Sequence, residues 1–209
     1  VSLHEPYKTM NYPKIILKKG KEISLKRRHH WVFSGAIHQM PENLQNGDLV
    51  SVYSSRDEFL GTGHFSHGSI MVRIISFENR EIDQDFWNEK IASAYQLRVS
   101  LGLTENPETN VYRLVHGEGD LLPGLIVDFY NGTAVIQAHH VGMHAHVKEI
   151  ANAIKNTYGE KLAGVFDKSA ETLPKNLGIT SNEWIIGEPK TDLVQEYGAT
   201  YKIDWEKGQ

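Results

Sequence analysis

The sequence predicts an α+β protein in which a small β-barrel comes first and a mixed α/β domain follows. Residues 14–78 hold closely spaced runs of β-branched and aromatic residues separated by turn residues, which is typical of short strands. Residues 85–195 instead alternate such runs with two helical patterns. The polar stretch 79–84 (NREIDQ) lies between the two regions and is the predicted linker.

Four short runs supply the strands of the predicted barrel. They are KIILK, DLVSVYSS, EFLGTGHF and SIMVRIISF, and turn residues at 46–48, 56–57 and 67–68 precede the last three. Short strands at close spacing indicate a compact barrel. Ser24 is predicted to cap a helix or helical turn that runs into Trp31 and Phe33 and covers one barrel end. Residues 1–13 are predicted to be a poorly ordered N-terminal segment.

A helical pattern opens the second domain, with Asp85 as its predicted cap and Gly102 at its end. The strand VYRLVHG and the turn EGDLLPG follow, and Asn131-Gly132 then joins LIVDFY to TAVIQA, a strong signal for a β-hairpin. A second helix is predicted over roughly 142–157, ended by Gly159. Three more strands, LAGVFDK, EWIIGE and TDLVQEYG, complete a predicted mixed sheet.

The net charge of −4 hides a basic segment at residues 14–31. Seven cations stand there against a single acid, Glu22. They are Lys14, Lys18, Lys19, Lys21, Lys26, Arg27 and Arg28. A local excess of positive charge favours binding of a polyanion such as RNA, and a solvated charged face is the alternative.

Composition excludes several classes of protein. The chain has no cysteine, so disulfides, zinc–thiolate sites and a cysteine nucleophile are excluded from these residues. No apolar run approaches the length needed to span a bilayer, and the first residues lack the apolar stretch of a signal peptide. We therefore expect no membrane partner and a cytoplasmic location.

Two glycine-containing stretches, GTGHFS and GEGDLL, are candidate nucleotide loops. Each supplies two glycines, but Ser66 or Leu122 stands where a dinucleotide fingerprint has its third glycine. No helix is predicted directly after either stretch. We therefore expect these residues to bind no cofactor.

Two other chemistries are weaker alternatives. His140 and His144 have the i, i+4 spacing that lets two imidazoles share a metal ion, but no third ligand is identified, so no metal is expected. Glu118 and Asp128 allow a small acid–base hydrolase. The turn chemistry of GEGDLLPG explains this region structurally instead, with Gly117 and Gly119 free to take positive φ.

Several stretches together resemble a known family. RRHHWVFSGAI (27–37), GDLVSVYSSRDEFLGTGHFS (47–66) and SIMVRI (69–74) are similar to the N-terminal PUA domain of bacterial large-subunit ribosomal RNA cytosine-C5 methyltransferases. YRLVHGEGDLLPGLIVDFY (112–130) resembles the signature of their central EEHEE domain, and EYGATYKIDWEKGQ (196–209) resembles the β-hairpin that leads into their catalytic Rossmann domain. The resemblance implies a PUA-like domain over 14–78, an EEHEE-type domain over 85–195 and a hairpin over 196–209.

The resemblance also implies a function. The chain is expected to be the RNA-recognition half of an S-adenosylmethionine-dependent methyltransferase that acts on cytosine in large-subunit ribosomal RNA. The cofactor and a catalytic cysteine would belong to a Rossmann domain absent from these residues, so the chain alone is expected to bind RNA and to be inactive, with no catalytic residues. A homodimer is left possible. A free-standing PUA-type RNA-binding adaptor is the alternative.

Two sets of site residues follow. The residues predicted to bind RNA are Lys18, Lys19, Lys26, Arg27, Arg28, His29 and Trp31. Cations neutralise phosphates and an aromatic ring stacks on an unpaired base, although ordinary core packing is the alternative for Trp31 and Phe33. The residues predicted to line the substrate cleft or the interface with the absent domain are Arg113, His116, Glu118 and Asp120.

Overall fold

The computed structural model describes residues 12–208 and divides them into two compact units. The first unit ends at Ile82 and the second begins at Asp83, inside the stretch 79–84. Each unit has its own sheet and its own buried apolar residues. The predicted α+β class is confirmed.

A six-stranded sheet makes up most of the first unit. Its strands are β1 (Lys14–Leu17), β2 (Trp31–Phe33), β3 (Ile37–Gln39), β4 (Leu49–Tyr53), β5 (Phe59–Phe65) and β6 (Ile70–Ser76). Their order is β2-β6-β5-β4-β1-β3, and every pair is antiparallel except β1 with β4. The two end strands, β2 and β3, are joined by a single 3-10 turn at Ser34–Ala36, so the sheet curls on itself.

The basic segment folds differently from the prediction. Helix α1 covers only Ile23–Lys26, and its N-cap is Glu22 rather than Ser24. Arg28 then takes a φ of +63°, which ends the helix, and the chain returns to extended geometry in β2. The predicted continuation of the helix into Trp31 is therefore wrong. Alternation of buried and outward residues from 29 to 33 is the strand pattern that decides it.

The predicted disordered segment falls mostly outside the described residues, which begin at Tyr12. Pro13 accepts a backbone hydrogen bond from Ser51 at 2.9 Å, and the hydroxyl oxygen of Tyr12 accepts one from the amide of Ile82 at 3.1 Å. These last two residues of the segment are thus tied to the first unit.

The second unit holds a five-stranded sheet and three helices. Its strands are β7 (Val111–His116), β8 (Leu125–Tyr130), β9 (Thr133–Ala138), β10 (Gly164–Asp167) and β11 (Glu183–Gly187), in the order β11-β10-β9-β8-β7. The helices are α2 (Gln84–Ser100), α3 (Val141–His144) and α4 (Val147–Tyr158). Only β9 and β10 are parallel, and α3 and α4 lie in the crossover between them. In the described part of the chain, no helix is long and apolar enough to cross a membrane.

The turn between β8 and β9 confirms the predicted hairpin. Asn131 and Gly132 have φ values of +45° and +95°, and Tyr130 pairs with Thr133. Asparagine and glycine tolerate these left-handed values, whose twist matches that of the flanking strands.

The helix boundaries differ in detail from the prediction. Asp83, not Asp85, caps α2, because its Oδ1 accepts a hydrogen bond of 2.9 Å from the amide of Phe86. The single helix predicted over 142–157 is divided into α3 and α4, with His140 capping the first of them. Gly159 ends α4 with a φ of +56°, as expected.

The hairpin predicted at 196–209 lies earlier in the chain. Its strands are β12 (Leu193–Glu196) and β13 (Ala199–Lys202), with Tyr197 and Gly198 in the turn at positive φ. The run TDLVQEYG, predicted to join the mixed sheet, therefore pairs with β13 in a separate two-stranded sheet. Hydrogen bonds between Asn110 and Gln195 hold β12 beside the residues that precede β7.

Candidate functional site

The structure separates the basic segment into paired and unpaired cations. Lys14 forms an ion pair with Asp57, and Lys26 forms one with Glu58 at 2.7 Å. Lys26 is a predicted RNA-binding residue, and its charge is already matched by a carboxylate. A salt bridge this exposed contributes little to stability, but it lowers the local positive charge.

The remaining cations lie outside ion pairs within residues 12–208. The Nζ of Lys18 donates a hydrogen bond of 3.0 Å to the carbonyl of Gly35. Arg28 places its guanidinium over the ring of Phe77, 4.8 Å from the centroid, which is a cation–π contact. Lys19, Lys21 and Arg27 are exposed and form no ion pair with any residue that the structure describes. Lys21 belongs to the basic segment but was not named among the residues predicted to bind RNA. Its exposure makes it a candidate for RNA binding like Lys19 and Arg27, which were named.

An aromatic ladder runs from His29 through the end strand β2, and Lys21 lines a cleft together with two of its rings. His29, Trp31 and Phe33 point to the outer side, whereas His30 and Val32 are buried. The ring centroids of Trp31 and Phe33 are 6.3 Å apart with planes at 82°, and those of His29 and Trp31 are 5.7 Å apart at 87°. Phe33 is 47% exposed, so the core-packing alternative is wrong for this residue.

The aromatic ladder borders a cleft of about 290 Å³. Trp31 and Phe33 line it together with the apolar residues Leu25, Val32 and Ala36. Lys21, Ser24 and Gly35 also line it, and the Nζ of Lys18 donates a hydrogen bond to the carbonyl of Gly35. The lining of the cleft thus combines aromatic and aliphatic side chains with a cation, Lys21.

The second set of predicted residues forms a cluster around the turn after β7. Arg113 makes a bidentate ion pair with Asp128, through Nε–Oδ1 at 2.8 Å and Nη2–Oδ2 at 3.0 Å. Its Nη1 lies 3.5 Å from Nδ1 of His116. The hydrogen bond that Arg113 donates to Asp128 raises the pKa of the Arg113 guanidinium above its ordinary value. The predicted Glu118 lies in the 3-10 turn Gly117–Asp120 and is exposed.

Asp120 has a structural role that the sequence did not reveal. Its carboxylate is 4% exposed and forms a bidentate ion pair with Arg98 of α2, with Nη2–Oδ2 at 2.8 Å. The same Oδ2 accepts the amide of His116 at 2.6 Å, and Nε of Arg98 donates to the carbonyl of Arg113 at 2.8 Å. Arg98 thus ties α2 to the turn that carries the cluster. Its only sequence signal was a cation in the last turn of a helix.

The same turn departs from the expected glycine geometry. Gly117 has a φ of +53°, but Gly119 is not among the residues with positive φ, and Leu121 takes +60° instead. The turn is followed by β8 and not by a helix.

The other glycine pair is explained by packing within the sheet. Gly61 and Gly63 lie inside β5, where a Cβ on Gly63 would come within 2.2 Å of the Arg73 carbonyl oxygen. A Cβ on Gly61 would lie 2.9 Å from the Ser76 carbonyl oxygen. These glycines allow β6 to approach β5 closely, so neither stretch has the strand–loop–helix geometry that holds a nucleotide cofactor.

The histidines considered for metal binding are engaged elsewhere. His140 accepts the amide of Met143 at Nδ1 (3.2 Å), and its Nε2 lies 3.1 Å from the carbonyl oxygen of Pro123. The Nε2 of His144 lies 3.0 Å from Oδ2 of Asp167. No group of three or more potential metal ligands occurs among residues 12–208. The two histidines thus bind different partners within the fold.

Known proteins resemble both units of the chain. Residues 15–77 match the PUA-like domain family. Ribosomal RNA large subunit methyltransferase I of Pseudoalteromonas atlantica is 33% identical over 199 residues, covering 93% of this chain and 49% of the relative. The protein of the same name from Erwinia tasmaniensis is 32% identical over 200 residues, covering 93% and 50%. The chain spans about half the length of the curated relatives it matches.

A solved structure shares the fold. A putative SAM-dependent methyltransferase from Streptococcus mutans superimposes with a TM-score of 0.75 at 21% identity, over 93% of this chain and 49% of that one. The resemblance drawn from residues 27–37, 47–66, 69–74 and 112–130 is confirmed at the level of homology. Over nearly all of its length, this chain is similar to about half the length of ribosomal RNA large subunit methyltransferase I proteins, and its residues 15–77 match the PUA-like domain family.

Proposed function

We propose that this chain is the RNA-recognition half of an S-adenosylmethionine-dependent methyltransferase that acts on cytosine in large-subunit ribosomal RNA. The homology, which runs through 93% of the chain and includes the PUA-like unit, is the observation that carries the proposal. A substrate in ribosomal RNA is met in the cytoplasm, and we propose that location on this ground. A homodimer stays a prediction, to be tested by sedimentation.

RNA binding is assigned to the first unit. Lys19, Lys21 and Arg27 are exposed and form no ion pair among residues 12–208. Lys21 also lines the cleft that Trp31 and Phe33 border. Neutralising phosphates releases counterions, so affinity should fall steeply with salt. Of the predicted residues, Lys18, Lys19, Arg27, Arg28, His29 and Trp31 keep their proposed role, whereas the charge of Lys26 is matched by Glu58.

The second unit is assigned to shaping the substrate cleft. Arg113, His116 and Glu118 are exposed around one turn, and Asp120 fixes that turn through Arg98. We propose that this turn faces the Rossmann domain of the full-length protein. A unit without catalytic residues can raise the reaction rate by holding the substrate in a productive orientation.

The residues described here do not fit S-adenosylmethionine. Gly61 and Gly63 lie inside β5, where they allow β6 to approach closely. The turn at 117–120 leads into a strand and not into a helix. A glycine-rich turn that opens a helix is what a nucleotide-type cofactor normally requires. We therefore propose that the cofactor and the chemistry belong to the half that these residues lack.

Calorimetry and methyl transfer test this division of labour. The 209-residue chain should bind unmodified ribosomal RNA fragments and show no heat of binding with S-adenosylmethionine. The full-length protein should bind both and transfer tritiated methyl groups to the RNA. Micromolar cofactor binding by the chain alone contradicts the division, and an inactive full-length protein contradicts the assigned activity.

A further inference from the structure

The strand β2 presents its aromatic side chains in a way that core packing does not require. Trp31 and Phe33 alternate with the buried Val32, and β2 is an end strand of its sheet, where it pairs with β6. Phe33 exposes 47% of its surface, although burying an aromatic ring of this size is favourable. An exposed ring beside a cation such as Lys21, which forms no ion pair among residues 12–208, is a combination that binds single-stranded nucleic acid.

The two rings define a corner that fits one flat ring. Their planes meet at 82° with centroids 6.3 Å apart, so a planar group placed against the face of one ring meets the other edge-on. The cleft at this corner has a volume of about 290 Å³, and its apolar lining includes Leu25, Val32 and Ala36. A volume near the lower end for small-molecule sites suits one planar group better than an extended ligand.

Two lysines associated with the cleft favour an anionic ligand. Lys21 lines the cleft, and the Nζ of Lys18 donates a hydrogen bond of 3.0 Å to the carbonyl of Gly35, which is another lining residue. A nucleotide carries its flat base and its phosphate within one unit, so the two rings and the two lysines match the two parts of one ligand. In a duplex, each base face is covered by its neighbours, and RNA bases become available for stacking where the strand is unpaired.

Resting on the proposed function of the first unit, we infer that the corner between Trp31 and Phe33 binds the base of one unpaired nucleotide, with Lys18 and Lys21 at its phosphate. The unit then distinguishes a bulged or looped RNA from a continuous duplex. Phe33 supplies an outer stacking surface, because 47% of its surface is exposed.

The test uses the 209-residue chain and two RNAs: a stem with one bulged 2-aminopurine nucleotide, and the same stem fully paired. The parent chain should bind the bulged stem more tightly and quench the 2-aminopurine fluorescence. F33A should weaken binding of the bulged stem by between about fivefold and 150-fold, the range measured for loss of one stacking aromatic. It should leave the affinity for the paired stem unchanged. F33W should keep both the affinity and the quenching.

The matched control is I23A, because Ile23 is an apolar residue of the same segment that is 54% exposed and does not line the cleft. Circular dichroism verifies folding of each variant.

If F33A behaves as I23A does, or if the parent binds both stems equally without quenching, the base site is refuted. If charge reversal of Lys19, Lys21 and Arg27 weakens binding of both stems while F33A changes neither, RNA binding by the first unit stands and the base site alone falls. Failure of the parent to bind either stem at low salt overturns both proposals.

Discussion

The two clusters of charged residues in this chain, one in each unit, use their charges in opposite ways. In the first unit, Lys19, Lys21 and Arg27 lie in no ion pair within the described residues. In the second unit, Arg98 and Arg113 each hold a carboxylate in a bidentate pair. A cation whose charge is already matched by a close carboxylate attracts a phosphate less strongly. A cation is therefore a stronger candidate for binding phosphate where the fold brings no carboxylate close to it.

The largest expected effect comes from breaking the buried pair in the second unit. R98M leaves the Asp120 carboxylate, 4% exposed, without its counter-ion, and should lower the free energy of unfolding by about 3–5 kcal/mol. Urea denaturation followed by circular dichroism measures this loss. The double variant R98M/D120N should recover part of it, because asparagine removes the charge and still accepts the amide of His116. A loss below about 1 kcal/mol in R98M would show that the pair is solvated.

The next effect is on RNA affinity and leaves stability alone. Charge reversal in K19E/K21E/R27E should weaken binding at least roughly tenfold at moderate salt and should flatten the slope of log affinity against log salt by about two. Fluorescence anisotropy over a salt series measures both quantities. The matched control is K148E/K155E/K175E. It changes the net charge of the chain by the same amount, but at exposed lysines of the second unit. Equal losses in the two variants would mean that net charge, and not the first unit, governs binding.

A smaller effect is expected at the exposed pair of the second unit. The Arg113 side chain is 46% exposed, so R113A should cost about 0.2–1 kcal/mol of stability. Because Asp128 already matches the charge of Arg113, the salt dependence of RNA binding by the chain should stay the same. Parallel unfolding and binding measurements on R113A check this prediction. A salt slope reduced by about one would instead place Arg113 on a phosphate in the chain itself.

The smallest effect concerns pH and again separates the second unit from the first. Burial lowers the pKa of His146 below its ordinary value of 6.5, and the nearby Glu149 opposes this only in part. The unfolded chain therefore binds more protons just below pH 6.5. The stability contributed by neutral His146 is present above that pH and is lost as the pH falls towards the lowered value. Urea unfolding at pH 7.5 and pH 5.5 should show a smaller pH dependence in H146N than in the parent; an equal dependence contradicts the prediction.

Local chemistry in the sequence predicted the elements whose geometry depends on neighbouring residues. Asn131-Gly132 specified a two-residue hairpin, and Gly102 and Gly159 specified helix ends, because left-handed φ values are unfavourable for most other residues. Element boundaries were less accurate. Asp83 and Asp85 are both good caps, and only the backbone of α2 decides which carboxylate meets a free amide.

The candidate site was predicted only in part. The excess of cations and the presence of Trp31 followed from the sequence, but core packing stayed an alternative for Phe33 until the structure showed 47% of its surface exposed. Period-two alternation of ring side chains at 29, 31 and 33 was the signal that could have found the aromatic ladder. Arg98 gave no comparable signal, because its partner Asp120 lies 22 residues further along the chain.

The sequence by itself therefore determined the α+β class, the order of the two regions, and the residue types available for binding RNA. These properties arise from hydrophobic periodicity and turn chemistry, which act over a few residues. The tertiary structure decided which cations remain available to bind a phosphate and which are already matched by a carboxylate. Lys26 meets Glu58 and Arg98 meets Asp120 only after distant parts of the chain are folded together, and the strength of an ion pair depends on distance and burial that a sequence does not contain.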